Sequence, residues 1–410
     1  MVQTGVVIAY LTSVYARATD TFIRDEVAQL RECGDEVVTF SIRRPSESEV
    51  INDEIAAERA KTTYLLDLPW YSFLAAAVSQ CLHHPRRFCN ALRAVRQLSH
   101  MGIRGRLWPC FYFLEACALA VRLRAAGADH LHDHIGEGSA SVALLASELT
   151  GIPFSFTVHG PSEWDRPFEL ALDVKARHAA FVATISEYTR GQMRRWIAQE
   201  DWTKIHVVRC GVASEDESPA TWSQSGGGVV VVSVGRLVHE KGHLVLLKSL
   251  NTLCARGRRL QVVLVGDGPE RHLLESYVRD NGLAAYVHFL GWKPTHEVRE
   301  TLRSSAALVM PSFAEGLPVS IMEAFLLGLP VISTDVGGVG ELVEPGRSGW
   351  LVAPGSVEQL TDALEDLLSM TESERRTMGQ RGRERVRRWH NISSEVSTLR
   401  DLIHAAAVAN

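Results

Sequence analysis

The sequence has few of the features that mark disulfide-stabilised, zinc-binding, nucleic-acid-binding or membrane-spanning proteins. Its seven cysteines are odd in number and include no Cys-x-x-Cys pair, so we expect neither a disulfide framework nor a zinc knuckle. A net charge of −5 and an isoelectric point near 6.4 argue against general binding to nucleic acid, which needs an excess of Lys and Arg. The first residues lack the basic region of a signal peptide, and no uncharged run of 18 apolar residues occurs. These absences predict a cytoplasmic protein without a membrane span.

Strand-like apolar runs alternate with segments of helical period along most of the 410 residues. Examples of the strand-like runs are VVIAYL, DEVVTFSI, PFSFTVHG, GVVVVSVGRL, LQVVLVGDG and PVISTDV. Such alternation predicts βαβ units with parallel sheets, an α/β fold of two Rossmann-like doubly wound domains. Ligands of such sheets bind beyond the carboxyl ends of the strands, so the cleft between the two domains is the expected site.

A polar segment rich in Gly, Ser and Pro, residues 213–228, separates two regions of regular α/β patterning. We therefore expect a first domain over residues 1–212, a linker over 213–228 and a second domain over 229–390. Residues 391–410 are expected to form a helix that returns to the first domain. Within the first domain, residues 66–125 form a basic segment with helix-forming sequence.

Two acids interrupt the apolar stretch PSFAEGLPVSIMEAFLLGLP, residues 311–330. Glu315 precedes a turn, and Pro318 suits the first position of a helix because its missing N–H would lack a partner there anyway. Glu323 then lies about 7.5 Å along that helix and leans back toward its N-terminus, where free amides bind anions. A diphosphate at the helix start with sugar hydroxyls nearby fits this spacing; a solvated acid on an amphipathic helix is the alternative.

A second phosphate-type element follows GVVVVSVGRL, where Arg236 and Lys241 flank a turn. Positive side chains at a strand end suit a departing diphosphate. The same turn contains His239-Glu240-Lys241-Gly242-His243, which matches the H-E-x-x-H pattern of zinc proteases. That motif needs both histidines on one helical face, and Gly242 interrupts it here. A third strand-to-helix turn begins at Gly266.

Four segments, GRLVHEKG, LVGDGPE, FLGW and Glu315 to Glu323, stand in an order and at separations that resemble a known family. That family is the retaining family-4 glycosyltransferases of the GT-B fold, of the exopolysaccharide and glycan-biosynthesis type. The resemblance is close in the C-terminal half and looser in the N-terminal half. It implies that Arg236 and Lys241 bind the diphosphate, that Glu323 binds the ribose hydroxyls and that Glu315 binds the donor sugar. The other donor-binding residues that it implies are Gly316, Leu317, Pro318 and Val319 for phosphates and sugar, Gly291, Trp292 and Lys293 for the base, and Gly266.

The resemblance also implies the reaction and its partners. A retaining glycosyltransferase of this kind moves a sugar from a nucleoside-diphosphate sugar, with a UDP-sugar the expected donor, and needs no metal and no cofactor. The acceptor would be a glycan or a polyprenyl-diphosphate-linked glycan. Two other functions stay open: a nucleotide-sugar epimerase of similar architecture, and a non-catalytic nucleotide-sugar-binding protein.

Four histidines in the first half are further candidates. His159 ends the strand-like segment PFSFTVHG, and by resemblance it contacts the donor sugar near the reacting carbon; a bond to nearby backbone is the alternative. His130, His132 and His134 alternate in ADHLHDHIGEG, which would place all three on one face of a strand. Zinc binding is conceivable there, although the family resembled needs no metal.

The loop after the first strand contains Ala18-Thr19-Asp20-Thr21-Phe22, which departs from the Gly-Gly pattern of the wider family. It resembles the Ser-Glu-Thr-Phe type of the exopolysaccharide transferases.

Residues 80–125 contain eight arginines against a single acid, Glu115, and several aromatic residues. This composition suits a surface that lies on an anionic membrane, peripheral at the cytoplasmic face of the inner membrane. The alternative is a set of ordinary helices that cover the first sheet. The arginines are Arg86, Arg87, Arg93, Arg96, Arg104, Arg106, Arg122 and Arg124.

Overall fold

A computed structural model describes residues 5–17, 21–46, 53–100, 102–212 and 228–409. Its chain divides into two compact units, the first formed by residues 1–211 with 392–410 and the second by residues 212–391. Nearly all of the linker expected over 213–228 lies outside the described residues, as do Ala18, Thr19 and Asp20 of the first loop. The C-terminal helix belongs to the first unit.

The first unit contains a parallel sheet of seven described strands in the order β3-β2-β1-β4-β5-β6-β7. Their bounds are β1 (Val7–Val14), β2 (Glu36–Arg43), β3 (Thr63–Tyr64), β4 (His130–His134), β5 (Phe154–Val158), β6 (Phe181–Thr184) and β7 (Ile205–Val207). The helices before the linker are α1 (Thr21–Glu32), α2 (Asp53–Lys61), α3 (Trp70–His83), α4 (Pro85–Leu98), α5 (Ile103–Ala125), α6 (Gly138–Thr150), α7 (Pro161–Trp164), α8 (Leu172–His178) and α9 (Glu187–Trp196). Ser186 caps α9 by accepting a hydrogen bond from the Thr189 amide, as its position before the helix predicts.

The second unit contains a parallel sheet of six described strands in the order β10-β9-β8-β11-β12-β13. Its strands are β8 (Val230–Val234), β9 (Gln261–Val265), β10 (Val287–Gly291), β11 (Ala307–Met310), β12 (Val331–Thr334) and β13 (Gly349–Val352). Its helices are α10 (His243–Ala255), α11 (Arg271–Asp280), α12 (Thr295–Arg303), α13 (Val319–Leu326), α14 (Val339–Leu342), α15 (Val357–Ser369) and α16 (Glu372–Trp389). The chain then re-enters the first unit as α17 (Ile392–Val408).

Both sheets are buried on two faces, which explains the near-continuous apolar runs of their central strands. Every residue of β5 is buried, as is every residue of β11 and β12. The predicted α/β class with two Rossmann-like parallel-sheet domains is confirmed. In each sheet the strand order reverses next to the first strand, between β1 and β4 and between β8 and β11, and a crevice for ligands opens at such a point.

Helix α17 is held against the rest of the first unit by the buried carboxylate of Asp35, the residue before β2. Arg400 donates to Asp35 Oδ2 at 2.6 Å and to Oδ1 at 3.3 Å, and His404 Nε2 lies 2.9 Å from Oδ1. The side chain of Asp35 has no exposed surface, so these two residues supply the hydrogen bonds that replace its hydration. Val396, Leu399 and Ile403 add an apolar face that packs into the core.

No helix in the described part of the chain combines the length and the apolar character needed to cross a bilayer. The longest, α5, carries four basic residues and Pro109 within its 23 residues.

Replacing Asp35 by Ala should weaken the docking of α17 and lower the midpoint of urea unfolding. The free energy of unfolding should fall by about 1.5–3 kcal/mol, because the hydrogen bonds to this charged group are lost and Arg400 loses its partner. Asp401→Ala, at an exposed position of the same helix, is the matched control. Equal unfolding midpoints for the two variants would show that Asp35 does not hold the helix.

Candidate functional site

Lys241 and Glu315 meet at the crevice of the second sheet, between the loops that follow β8 and β11. Lys241 Nζ donates to Glu315 Oε1 at 2.6 Å. The carboxylate is almost completely buried, while the lysine side chain retains 23% of its exposed surface. Two residues that are 74 positions apart, each predicted to bind the donor, are therefore in direct contact. The contact also answers how a carboxylate is kept within an apolar stretch: a cation neutralises it.

Further hydrogen bonds and backbone packing hold Glu315 in place, and these contacts were not predicted from the sequence. Ser312 Oγ donates to the same Oε1 at 2.7 Å, and Thr334 at the end of β12 donates to the Ser312 carbonyl at 2.5 Å. The Glu315 turn is covered by Gly337, whose φ of +57° and close approach to the Glu315 carbonyl exclude a side chain: an added Cβ would lie 1.9 Å from that oxygen. Ser312, Thr334 and Gly337 were not among the predicted site residues.

The loop after β8 forms a short 3₁₀ turn, His239–Lys241, and ends at Gly242 with φ of +63°. A Cβ on Gly242 would lie 2.1 Å from the Pro311 carbonyl, so only glycine allows this loop to pass the end of β11. The Phe313 amide donates to the Glu240 carbonyl at 2.7 Å, which joins the two loops on the other side. Arg236 lies exposed at the start of the same loop.

The zinc-protease interpretation of His239 to His243 is excluded by this geometry. His239 is exposed and stacks on Phe313, whereas His243 is buried at the start of α10, beyond the left-handed Gly242. The two rings therefore do not share one helical face. Burial and the nearby Lys241 lower the pKa of His243 to about 4, as expected for a neutral core histidine.

Helix α13 begins at Val319, one residue later than the sequence predicts, and Pro318 is the residue before its first turn. The first amides of a helix have no acceptor one turn earlier, so the start of α13, next in sequence to the Glu315 turn, is a potential donor site for an anion. Glu323 is the fifth residue of α13 and is half-buried. Gly316 accepts a hydrogen bond from the Gly338 amide at 2.8 Å, which fixes the turn before the helix.

The other predicted donor-binding residues lie at the ends of β9 and β10. The Gly266 amide donates to the Gly291 carbonyl at 2.9 Å, and Gly266 packs against the Gly235 carbonyl beside Arg236. Trp292 is 57% exposed, a flat ring available for stacking. Lys293 instead pairs with Glu297 at 2.7 Å on α12. That bond lowers the pKa of Glu297 and pairs Lys293 with the first turn of α12.

His159 belongs to the first unit and follows β5, as its sequence position predicts. Its Nε2 lies 2.9 Å from His134 Nδ1, and His134 Nε2 lies 2.8 Å from Glu26 Oε1. The ring of Phe22 lies 5.0 Å from the His159 ring. His159 also borders a small cavity with Ile185, Arg209 and Glu395.

His130, His132 and His134 lie on β4 as predicted, and their hydrogen bonds show that they share one face. Ser155 Oγ lies 2.7 Å from both His130 Nε2 and His132 Nδ1, and Thr157 lies 3.0 Å from His132 Nε2. Burial lowers the pKa of His130 to about 3 and that of His132 well below its usual value. In the described part of the chain, Glu26, His132 and His134 are close enough to share a metal ion. Both nitrogens of His132 and both of His134 already have hydrogen-bond partners within the protein, so the arrangement suits structural histidines.

Glu163 joins the loops that follow β4 and β5 and was not predicted. It is fully buried and accepts hydrogen bonds from the amides of Gly136 at 2.6 Å, His159 at 2.6 Å and Gly160 at 2.9 Å. Burial raises its pKa to about 7, while the three amides favour the ionised form. The capping position of Glu163, three residues after Gly160, is the sequence signal that could have found it.

Two family models match the chain, one to each half. The model "Glycosyl transferases group 1" matches residues 214–385, and "Glycosyl transferase 4-like domain" matches residues 18–211. The chain belongs to the family-4-like glycosyltransferases of the GT-B fold. The predicted family is thereby confirmed.

Individual relatives of this glycosyltransferase agree with the family models. WcaL of Escherichia coli K12, assigned as a colanic acid biosynthesis glycosyltransferase, is 30% identical over 54% of this chain and 55% of its own. The match thus spans about half the length of that relative. The 2-deoxystreptamine glucosyltransferase of Streptomyces kanamyceticus is 28% identical over 80% of this chain and 81% of its own. The crystal structure of HepE from Anabaena in complex with UDP shares the fold, with a TM-score of 0.73 at 15% identity over 97% of this chain and 99% of that one.

Replacing Lys241 by Met should lower the midpoint of urea unfolding, because Glu315 would stay buried without its cation. We expect the free energy of unfolding to fall by about 1–2 kcal/mol. This value is at the lower end of the cost of leaving a buried charge unpaired, because Lys241 is partly exposed and Ser312 still donates to Glu315. Lys248→Met, at an exposed position of α10, is the control for loss of a lysine. If both variants unfold at the same urea concentration, the ion pair adds nothing to stability.

Proposed function

We propose that this glycosyltransferase is a retaining enzyme that moves a sugar from a UDP-sugar to a glycan or polyprenyl-diphosphate-linked glycan acceptor, without a metal. The observation that carries the proposal is the Lys241 and Glu315 pair at the reversal point of the second sheet, beside the N-terminus of α13. An ammonium group has three N–H donors, of which Glu315 takes one. The others are available to a diphosphate.

The assignment of roles follows the same geometry. A diphosphate between Arg236, Lys241 and the first-turn amides of α13 would meet two cations and a positive helix end. A sugar bound next to it would reach the Glu315 turn, and Glu323, one turn into α13, would reach ribose hydroxyls. Trp292 offers an exposed ring for the base. HepE was crystallised with UDP and with UDP-glucose, which supports a uridine donor for this fold.

For the retaining reaction we propose attack from the face that the diphosphate leaves. In that step the bond between the anomeric carbon and the phosphate oxygen breaks while the bond to the acceptor oxygen forms. The acceptor proton passes to the departing diphosphate. The protein contributes orientation and cationic stabilisation of the growing charge on the leaving group. Colanic acid and amylovoran biosynthesis, named for two relatives, support a polysaccharide product.

Incubation with a panel of nucleotide sugars, with and without EDTA, tests the activity by release of nucleoside diphosphate.

Glu323→Ala should raise the donor KM about tenfold or more, the cost of roughly one or two hydrogen bonds to a charged group. Arg236→Ala should instead lower kcat, because charge on the diphosphate grows in the transition state. Arg258→Ala, exposed and remote in sequence from the site, is the control.

Four outcomes would contradict parts of this proposal. Conversion of the donor without any acceptor or diphosphate release would indicate an epimerase, and binding without turnover would indicate a non-catalytic binding protein. Loss of activity in EDTA that zinc restores would overturn metal independence. Retention of configuration is read from the anomeric NMR signal of the product, and an inverted anomer excludes the retaining assignment.

We also propose that helices α3 to α5 bind the surface of an anionic membrane. Along α3, apolar side chains at spacings of four residues are exposed over the whole helix: Trp70, Leu74, Val78 and Leu82. On α5 the exposed apolar residues include Ile103, Leu107, Trp108 and Phe111. Single exposed apolar residues are ordinary, but continuous stripes on neighbouring helices mark a contact surface.

The charges beside these stripes favour a bilayer as the partner. Arg86, Arg87, Arg93 and Arg96 are exposed on α4, between the two stripes in sequence. Glu115 offers little compensation, because burial raises its pKa to about 7. Not every arginine of the segment contributes: Arg124 donates to Gln80 at 2.8 Å and to the Leu149 carbonyl at 2.6 Å, so it packs α5 against its neighbours. The side chain of Arg104 lies outside the described residues.

Flotation with phosphatidylglycerol vesicles should carry the protein upward at low salt and less so at high salt. Each cation near the surface adds roughly 1 kcal/mol, so reversing Arg86, Arg87, Arg93 and Arg96 to Glu should abolish flotation while donor turnover persists. Reversal of Arg258, Arg259, Arg279 and Arg381, four exposed arginines of the second unit, is the matched control. A wild-type protein that stays at the bottom of the gradient, or that dimerises through this face, has no such membrane surface.

A further inference from the structure

Four polar side chains form a continuous hydrogen-bonded line behind the end of β5. Tyr10 on β1 donates to Glu26 Oε1 at 2.6 Å, Glu26 Oε1 lies 2.8 Å from His134 Nε2, and His134 Nδ1 lies 2.9 Å from His159 Nε2. Tyr10 and His134 are buried, and their rings stack at 5.5 Å. The line therefore has one end in the core and the other at His159, which borders the cavity.

The positions of the protons follow from this order. Glu26 Oε1 accepts the hydrogen of Tyr10 and faces His134 Nε2 at the same time. Imidazole is ordinarily a stronger base than a carboxylate, so the shared hydrogen lies on Nε2. In a neutral ring Nδ1 of His134 is then an acceptor, and the hydrogen between the two histidines belongs to His159 Nε2. His159 Nδ1 is left as an acceptor.

Burial supports a neutral ring for His159. Burial and the neighbouring His134 lower the pKa of His159 well below its usual value. The ring of His132 lies 5.0 Å from that of His134. Burial lowers the pKa of His132 well below its usual value, so this neighbouring ring is neutral as well. No described residue hydrogen-bonds to His159 Nδ1.

We propose that Glu26 and His134 are positioning residues that hold His159 in the tautomer with Nε2 protonated and Nδ1 as an acceptor for a substrate hydroxyl. This inference rests on the proposed function, in which a sugar hydroxyl of the substrate would donate a hydrogen bond to the unprotonated Nδ1 of His159. The backbone amide of His159 is held independently by Glu163, so the line controls the ring and Glu163 controls the loop. A hydrogen bond to one ring nitrogen of a histidine fixes which nitrogen is protonated; Glu26 does this for His134, and His134 does it for His159.

The tautomer can be measured without any substrate. In the full-length protein labelled with ¹⁵N-histidine, two-bond proton–nitrogen spectra distinguish protonated from unprotonated ring nitrogens, and comparison with His159→Ala identifies the His159 signals. We expect a protonated Nε2 and an unprotonated Nδ1 in the wild type. A protonated Nδ1 in the wild type overturns the proposal. His272→Gln, at a fully exposed histidine, checks that unrelated signals stay in place.

Two substitutions separate positioning from packing. His134→Phe keeps the ring but removes both nitrogens, so His159 should become a mixture of tautomers. His134→Gln supplies one amide oxygen to accept from His159 and one amide group to donate to Glu26, so it should preserve the wild-type tautomer. A wild-type spectrum for His134→Phe would show that His134 does not set the tautomer. Circular dichroism establishes that each variant is folded, and the wild-type spectrum decides the proposal if the Phe variant is not.

Kinetics then links the tautomer to the proposed function. With UDP-glucose, or the nucleotide sugar that the panel identifies, His134→Phe should lower kcat/KM about tenfold, the value of roughly one hydrogen bond, and His134→Gln should restore most of it. Equal activity of both variants and the wild type would show that the tautomer does not serve the reaction. A wild type that turns over no nucleotide sugar refutes the proposed function and leaves the spectroscopic result standing.

Discussion

The direction of the strands is the constraint on which the candidate site depends. In a parallel sheet every strand ends at the same edge, so the loops after β8, β11 and β12 meet although they are far apart in sequence. The reversal of strand order between β8 and β11 then separates the helices that cover the two faces and leaves a crevice. Lys241, Ser312, Glu315 and Thr334 are neighbours because each ends one of these strands or lies in the loop that follows it.

Charge at this edge is balanced within the protein, which affects how a donor could bind. A buried carboxylate needs a cation or several donors, and Glu315 has both in Lys241 and Ser312. A diphosphate that approaches Lys241 meets a cation already held in place, so little side-chain entropy remains to be lost on binding. The same pairing moderates the field of Lys241, and the exposed Arg236 supplies an unburied charge beside it.

In the first unit, buried polar side chains are stabilised by a hydrogen-bond network and not by one ion pair. Its central strand β4 carries three histidines and an aspartate in fully buried positions. Hydroxyl groups of Ser155 and Thr157 on β5 lie within hydrogen-bond distance of His130 and His132. Lys175, also fully buried, donates to the carbonyls of Gly136 and Glu137. Burial lowers the pKa of Lys175 to about 7, against the nearby carboxyl groups that raise it. Such a network keeps the loops after β4 and β5 in one arrangement, because each polar group is costly to leave unpaired.

Local sequence determined the elements, since near-continuous apolar runs and helical segments of period 3.6 need only neighbouring residues to be recognised. It also determined the candidates near strand ends, such as Lys241, Glu315 and His159, because polar residues in the loop after a buried strand lie at the edge of the sheet. The tertiary structure alone decided which of these candidates touch. Nothing near Glu26 in sequence marks it as the partner of His134, and nothing near Ser312 or Gly337 marks them as supports of Glu315. Those contacts arise from strand order, and strand order is set by how helices pack on both faces of the sheet, which a linear pattern does not encode.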